Sequence, residues 1–248
     1  AFCNTVGFSS IDYIIADNHL IYDNEENLYS EKILRLPDIW NTHSGFKLER
    51  KMPQLPFNKN KFITFGSFNN FLKISDNVII VWSKILSSVK NSRLILKSSN
   101  SYNTEIILEK FRKYGVENSI KIYDRSDFPN VEDHLKLYEI IDLALDTFPY
   151  NGVTTTFEAL WKGVPVIVLK GYNFNSRCGE SINKNIGLEN LIAENKNEYI
   201  AKAVFLSFNP NELEEIRKKI FENALKTPLF DKKKFCNEFF SSLEKIYN

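Results

Sequence analysis

Thr154, Thr155 and Thr156 follow the stretch Phe148-Pro149-Tyr150-Asn151-Gly152, where turn chemistry gives way to a predicted helix. A helix leaves its first N–H groups without backbone partners and is positive at that end, so hydroxyls and amides converging there suit a phosphate. Simple capping is the plain alternative for the threonines. Glu158 lies on the same helical face as Thr154 and Thr155, where a carboxylate can accept from a ribose diol beside a held phosphate.

Three other stretches offer partners for that spot. Gly66-Ser67-Phe68-Asn69-Asn70-Phe71-Leu72-Lys73 brings a glycine that admits close backbone approach, and the pair Asn69 and Asn70 with Lys73 as donors. It is neither a Walker loop nor a GxGxxG fingerprint, and turn-forming asparagines with a solvated lysine would account for it equally. His134 falls near the start of a predicted helix, where a neutral ring could stack on a base. Arg177, after Asn173-Phe174-Asn175-Ser176, could reach the same crevice or form a surface salt bridge, and Ser176 could cap its helix. Lys73, Arg177 and a helix N-terminus together could balance a diphosphate without a metal, and no Asp-x-Asp pair occurs. His19 and His43 have no evident partner, and no nucleophile–base pair stands out.

These residues need elements that bring them to one edge. Ile141 to Leu145 is a short apolar run, as expected of a strand buried on both faces of a parallel sheet. Around it the pattern alternates. Strands are predicted at 62–65, 94–96, 120–123 and 166–169, and helices from Ser75 or Asp76 to Val89, over 104–114 closed by Gly115, over 131–139 and over 154–161. Gly163-Val164-Pro165 reads as a turn, and helices fill the remainder at about 174–186, 196–207, 210–225 and 231–247. Alternation of this kind predicts an α/β fold, a Rossmann-like parallel sheet with helices on both faces and a ligand crevice at the carboxyl ends of its strands.

Residues 1–56 do not read as a domain of their own. They offer strands near 11–15 and 32–36, then an extended linker, Met52-Pro53-Gln54-Leu55-Pro56, before a second unit at 57–248. The chain begins at Ala1 and its one methionine is Met52, so a piece of a longer protein, or a processed one, with an incomplete leading segment is expected.

With 43% hydrophobic residues the chain can bury a core, and its net charge of +1 gives no electrostatic case for nucleic acid or a membrane surface. Cys3, Cys178 and Cys236 are far apart and lack metal-ligand spacing, so a reducing, cytoplasmic compartment is expected rather than disulfides or zinc. No run approaches the roughly 18 apolar residues of a membrane helix.

Phe65 to Ile74, Leu145 to Thr156 and Gly163-Val164-Pro165 with Ser176-Arg177 resemble the catalytic region of O-linked N-acetylglucosamine transferases, including bacterial and Spindly-type members. The likeness covers nearly the whole chain, and even Ile11 to Asp17 and Tyr29 to Pro37 resemble the tail of that family's first lobe. It implies the C-terminal lobe of a GT-B architecture, a remnant of the N-terminal lobe, and a metal-independent inverting transfer from a nucleotide sugar to protein Ser or Thr hydroxyls. Lys73 would meet the diphosphate as the catalytic cation, with Asn70 and Gly152 beside it; Thr154 and Thr155 would bind phosphate, Glu158 the ribose, and His134 would lie against the base.

Val153 stands where the animal enzymes have a histidine, and Val131 where they have a lysine. Thr-Phe-Pro-Tyr and Asp133-His134 are closer to bacterial and Spindly-type members, so the donor stays open between UDP-N-acetylglucosamine and GDP-fucose or another nucleotide hexose. A non-catalytic nucleotide-binding scaffold is the remaining alternative. The family's first lobe and its tetratricopeptide repeats are expected as partners outside these residues.

Overall fold

The computed structural model describes residues 4–52, 54–98 and 102–247; Cys3 and Pro53 lie outside the described residues. The strands are β1 (Tyr13–Ala16), β2 (Lys32–Arg35), β3 (Thr64–Ser67), β4 (Arg93–Ser98), β5 (Ile120–Asp124), β6 (Leu143–Leu145), β7 (Val166–Leu169) and β8 (Ile192–Ala193). The helices are α1 (Pro56–Asn60), α2 (Asp76–Ser88), α3 (Tyr102–Arg112), α4 (Val131–Lys136), α5 (Thr154–Trp161), α6 (Phe174–Lys184), α7 (Lys196–Phe208), α8 (Pro210–Asn223) and α9 (Lys232–Tyr247).

β3 to β8 form one parallel sheet in the order β5-β4-β3-β6-β7-β8. The chain winds outward in one direction from β3 and in the other from β6, so the order reverses between these neighbours. A doubly wound sheet binds its ligand at such a switch point, because the loops leaving the two strands diverge and open a crevice. β3 and β6 are buried along their whole length between two helical layers; β6 is apolar throughout, whereas β3, two residues later than the expected 62–65, also buries Thr64 and Ser67.

Each helix near the crevice has a local cause. Ser75 Oγ accepts the N–H of Val78 and starts α2, whose Val78, Ile79, Trp82, Ile85 and Leu86 recur at helical spacing and are buried. α5 ends at Gly163, with φ +73°, where Val164 N–H donates to Ala159 O and Gly163 N–H to Leu160 O, the pattern that satisfies a helix's last carbonyls. Asn173, not Ser176, caps α6: its side chain accepts from Ser176 N–H, and Ser176 returns a contact to Asn173 N–H.

The leading segment is packed, not loose. β1 and β2 form a separate parallel pair, too small to be stable without a surface to cover. Ala16, Leu20 and Ile21 bury against Phe174 and Cys178 of α6, while Ile39 and Leu55 join the main core. α1, which the sequence did not suggest, starts at the last residue of the expected linker; its Phe57 N–H donates to Asp142 Oδ1, and Thr64 N–H of β3 to Oδ2, both at 2.8 Å. β8 is only two residues long, too short to leave a pattern in the sequence. Among the described residues no helix is long and apolar enough to cross a membrane.

Candidate functional site

The loop leaving β3 is built around Asn70. Its Oδ1 accepts Leu72 N–H at 2.9 Å and tightens the turn Phe71–Lys73, which turns Lys73 toward the loop that leaves β6. Lys73 Nζ donates to Asn151 O at 2.8 Å and sits 4.1 Å from the centre of the Tyr150 ring. The lysine therefore bridges the two loops of the switch point.

The second loop is organised by Asp146, at the end of β6. Its Oδ1 accepts Gly152 N–H at 2.7 Å, Thr147 N–H at 2.8 Å and Asn69 Nδ2 at 3.2 Å. Its Oδ2 is buried with no hydrogen-bond partner among the described residues. Burial pushes this carboxyl up to about 7, against the pull of the Gly152 N–H and the Lys73 charge. Asn151 is buried too, its Nδ2 donating to Thr147 O and its Oδ1 accepting Gly179 N–H.

That loop delivers the start of α5. Val153, the residue before it, closes no side-chain cap over the first turn. Thr154 is exposed, and Thr155 Oγ1 donates to Asn69 Oδ1 at 3.1 Å. Thr156 turns inward, its hydroxyl donating to Gly152 O, so two of the three threonines remain at the surface. Gly152 contributes by close approach: a Cβ there would stand 2.4 Å from Thr155 Oγ1 and 3.0 Å from Asp146 Oδ1. Its own N–H is already given to Asp146.

Asn70, Lys73, Thr154 and Thr155 line one hollow of about 590 Å³, with Asn69, Tyr150 and Val153 between them. Its far wall comes from the leading segment, as Ile15, Trp40 and Asn41. One turn further along α5, Glu158 Oε2 lies 3.0 Å from His134 Nε2 and accepts the Tyr138 hydroxyl at 2.8 Å. Lys97 Nζ stands 3.0 Å from His134 Nδ1. No group of three His, Cys, Asp or Glu residues that could hold a metal occurs among the described residues.

Arg177 is placed elsewhere. Its guanidinium is buried, grips Glu25 through two contacts of 2.5 and 2.6 Å, and donates to Gly171 O and Leu20 O. Charge pairing with Glu25 draws it to the leading segment, where it ties that segment to α6. Asn69, one of the asparagine pair expected as donors, gives its amide to Asp146 instead, whereas nothing in the sequence singles out Asp146, Lys97 or Tyr138. An acidic residue ending an apolar strand, and a lysine ending Leu94-Ile95-Leu96, were the available signals.

A model of glycosyl transferase family 41 matches residues 48–239. The probable UDP-N-acetylglucosamine–peptide N-acetylglucosaminyltransferase SPINDLY of Solanum lycopersicum is 34% identical over 98% of this chain, and the SEC protein of Arabidopsis thaliana, of the same described activity, is 30% identical over 100% of it. The chain spans 26% of the length of each. Among solved structures, a mutant of the Thermobaculum terrenum O-GlcNAc transferase superposes over 100% of this chain and 46% of its own, with a TM-score of 0.83 and 28% identity. WaaG, a glycosyltransferase involved in lipopolysaccharide biosynthesis, shares the fold over 96% of this chain and 64% of its own, with a TM-score of 0.60 at 12% identity.

Proposed function

Because the chain belongs to glycosyl transferase family 41, with the C-terminal lobe of a GT-B enzyme as its fold, we propose that it is the donor-binding half of a protein glycosyltransferase, moving N-acetylglucosamine from UDP-N-acetylglucosamine to Ser or Thr hydroxyls. One observation carries this reading: Lys73 and the uncapped start of α5, with Thr154 and Thr155, converge on one hollow at the switch point of the sheet. The likeness to SPINDLY and SEC, described as probable UDP-N-acetylglucosamine–peptide N-acetylglucosaminyltransferases, supports it.

The proposed chemistry follows from the charges. An acceptor hydroxyl attacks the anomeric carbon, the bond from that carbon to the diphosphate breaks, and negative charge grows on the leaving diphosphate. Lys73 and the α5 amides and hydroxyls stabilise that charge with donors already in position, so the reaction as proposed needs no metal. A phosphate entering the hollow takes over the ammonium that now holds Asn151 O. Asn70 lies beside it, Glu158 accepts from the ribose, and His134 lies against the base. The group that receives the acceptor's proton, and the surfaces that choose the acceptor, are assigned to the N-terminal lobe and tetratricopeptide repeats of the longer protein.

A thermal-shift panel of UDP, GDP and their sugar conjugates tests the assignment, since a ligand bound only by the folded state raises apparent stability by about 2.7 kcal/mol at a hundred times its Kd. The expected result is a rise with UDP and UDP-N-acetylglucosamine. A response to GDP alone would replace the donor by a GDP-hexose such as GDP-fucose, and silence at millimolar nucleotide would favour a scaffold over a transferase.

A further inference from the structure

We propose that Lys97 is a positioning residue for the nucleoside end of this site: its ammonium, at the end of β4, fixes His134 as the Nε2–H tautomer and pins the ring against Glu158 of α5. An ammonium carries only donors, so the Nδ1 atom 3.0 Å from Lys97 Nζ must present its lone pair. The ring proton is then on Nε2, which stands 3.0 Å from Glu158 Oε2, an acceptor. Tyr138 donates its hydroxyl to the same oxygen at 2.8 Å. Every contact along Lys97, His134, Glu158 and Tyr138 has a donor facing an acceptor. The other tautomer would set an N–H against the ammonium and a lone pair against the carboxylate.

The aromatic surroundings do not fix the ring in this way. Phe68 and Tyr138 meet it at interplanar angles of 74° and 71°, with centroids 6.0 and 5.8 Å away. Such edge contacts leave rotation about the outer side-chain bond open, whereas a ring flip would lose both nitrogen contacts. Lys97 is itself held: it is half-buried, with the Phe128 ring 5.5 Å away. Burial, with a smaller push from Arg125, lowers its pKa, and Glu158 acts the other way. The consequence is a preset ring plane and a preset carboxylate, so a nucleoside docking there would order neither group on arrival.

The role of the ring rests on the donor-binding reading above; its tautomer does not. The chain has three histidines, so ¹⁵N imidazole spectra of the whole chain, with His134→Gln as the assignment control, can resolve His134. The wild type is expected as Nε2–H, Lys97→Met as an averaged mixture of tautomers, and Lys97→Arg, which still donates, as Nε2–H. In titrations, Lys97→Met should weaken UDP binding about tenfold, the scale of one lost charge-assisted hydrogen bond, and leave inorganic pyrophosphate binding unchanged; Lys97→Arg should restore UDP binding.

An Nδ1–H ring in the wild type would overturn the inference, as would equal losses of UDP and pyrophosphate in Lys97→Met. A wild-type chain in the Nε2–H form that binds no nucleotide would instead sink the donor assignment and leave the Lys97–His134 contact standing.

Discussion

Asp146 does not line the hollow, yet its Oδ1 fixes the Gly152 amide that precedes α5 and the Asn69 side chain that receives Thr155. A buried carboxyl pushed up to about 7 from its ordinary 3.8 binds its proton more tightly in the folded chain than in the unfolded one. The sign follows: its contribution is complete below about 3.8 and is lost as pH rises to about 7, because there only the folded state still holds the proton. Asp142, pushed up to about 6 by burial, adds to the same trend. The two can be separated by comparison with Asp146→Asn. The stability of wild type relative to that variant should fall from pH 5 to pH 8 in thermal melts, and a constant difference would contradict it. Little of this could be read from the sequence, where Asp146 is one acid after an apolar run. Its partners Asn69 and Gly152 come from another strand's loop and from the far side of the turn.

At the scale of elements, the sequence showed the alternation plainly, since short apolar runs such as Leu143–Leu145 and Val166–Leu169 recur between helical patterns such as that of α2. α5 and β7 occupy the expected residues, and Gly163 closes α5 where a left-handed residue was needed. What local pattern could not show was which polar group of a pair is used. Asn173 rather than Ser176 caps α6, and Thr156 points inward because the third position of the helix faces the sheet. Arg177 belongs to this scale too, as the joint between α6 and the leading segment. Glu25→Ala would strand its buried guanidinium and should cost about 3 kcal/mol, the low end for a broken buried pair because Glu25 is partly exposed. Urea unfolding measures the loss, and hydrogen exchange should show it concentrated in residues 13–41; a change under about 0.5 kcal/mol, the range of ordinary surface substitutions, would show that the pair does not hold the segment.

For the whole molecule, the strand order places two divergent loops side by side, and the leading segment completes the hollow between them with Ile15, Trp40 and Asn41. The Rossmann-like class was legible because alternation of strands and helices leaves few other topologies. That residues 1–56 would wall the hollow was not, because Ile15, Trp40 and Asn41 meet residues of two later stretches, at 69–73 and 150–155, and leave no local signature. With a net charge of +1 the molecule has no general attraction for anions, so any diphosphate affinity must arise from Lys73 and the start of α5. Calorimetric titration of UDP into the wild-type chain and Lys73→Ala tests that directly. The account predicts saturable binding by the wild type and a loss of about 10² in the variant, the scale of removing one charge-stabilising donor, with the melting temperature of the unliganded chain little changed. Equal UDP affinity in the two proteins would contradict it.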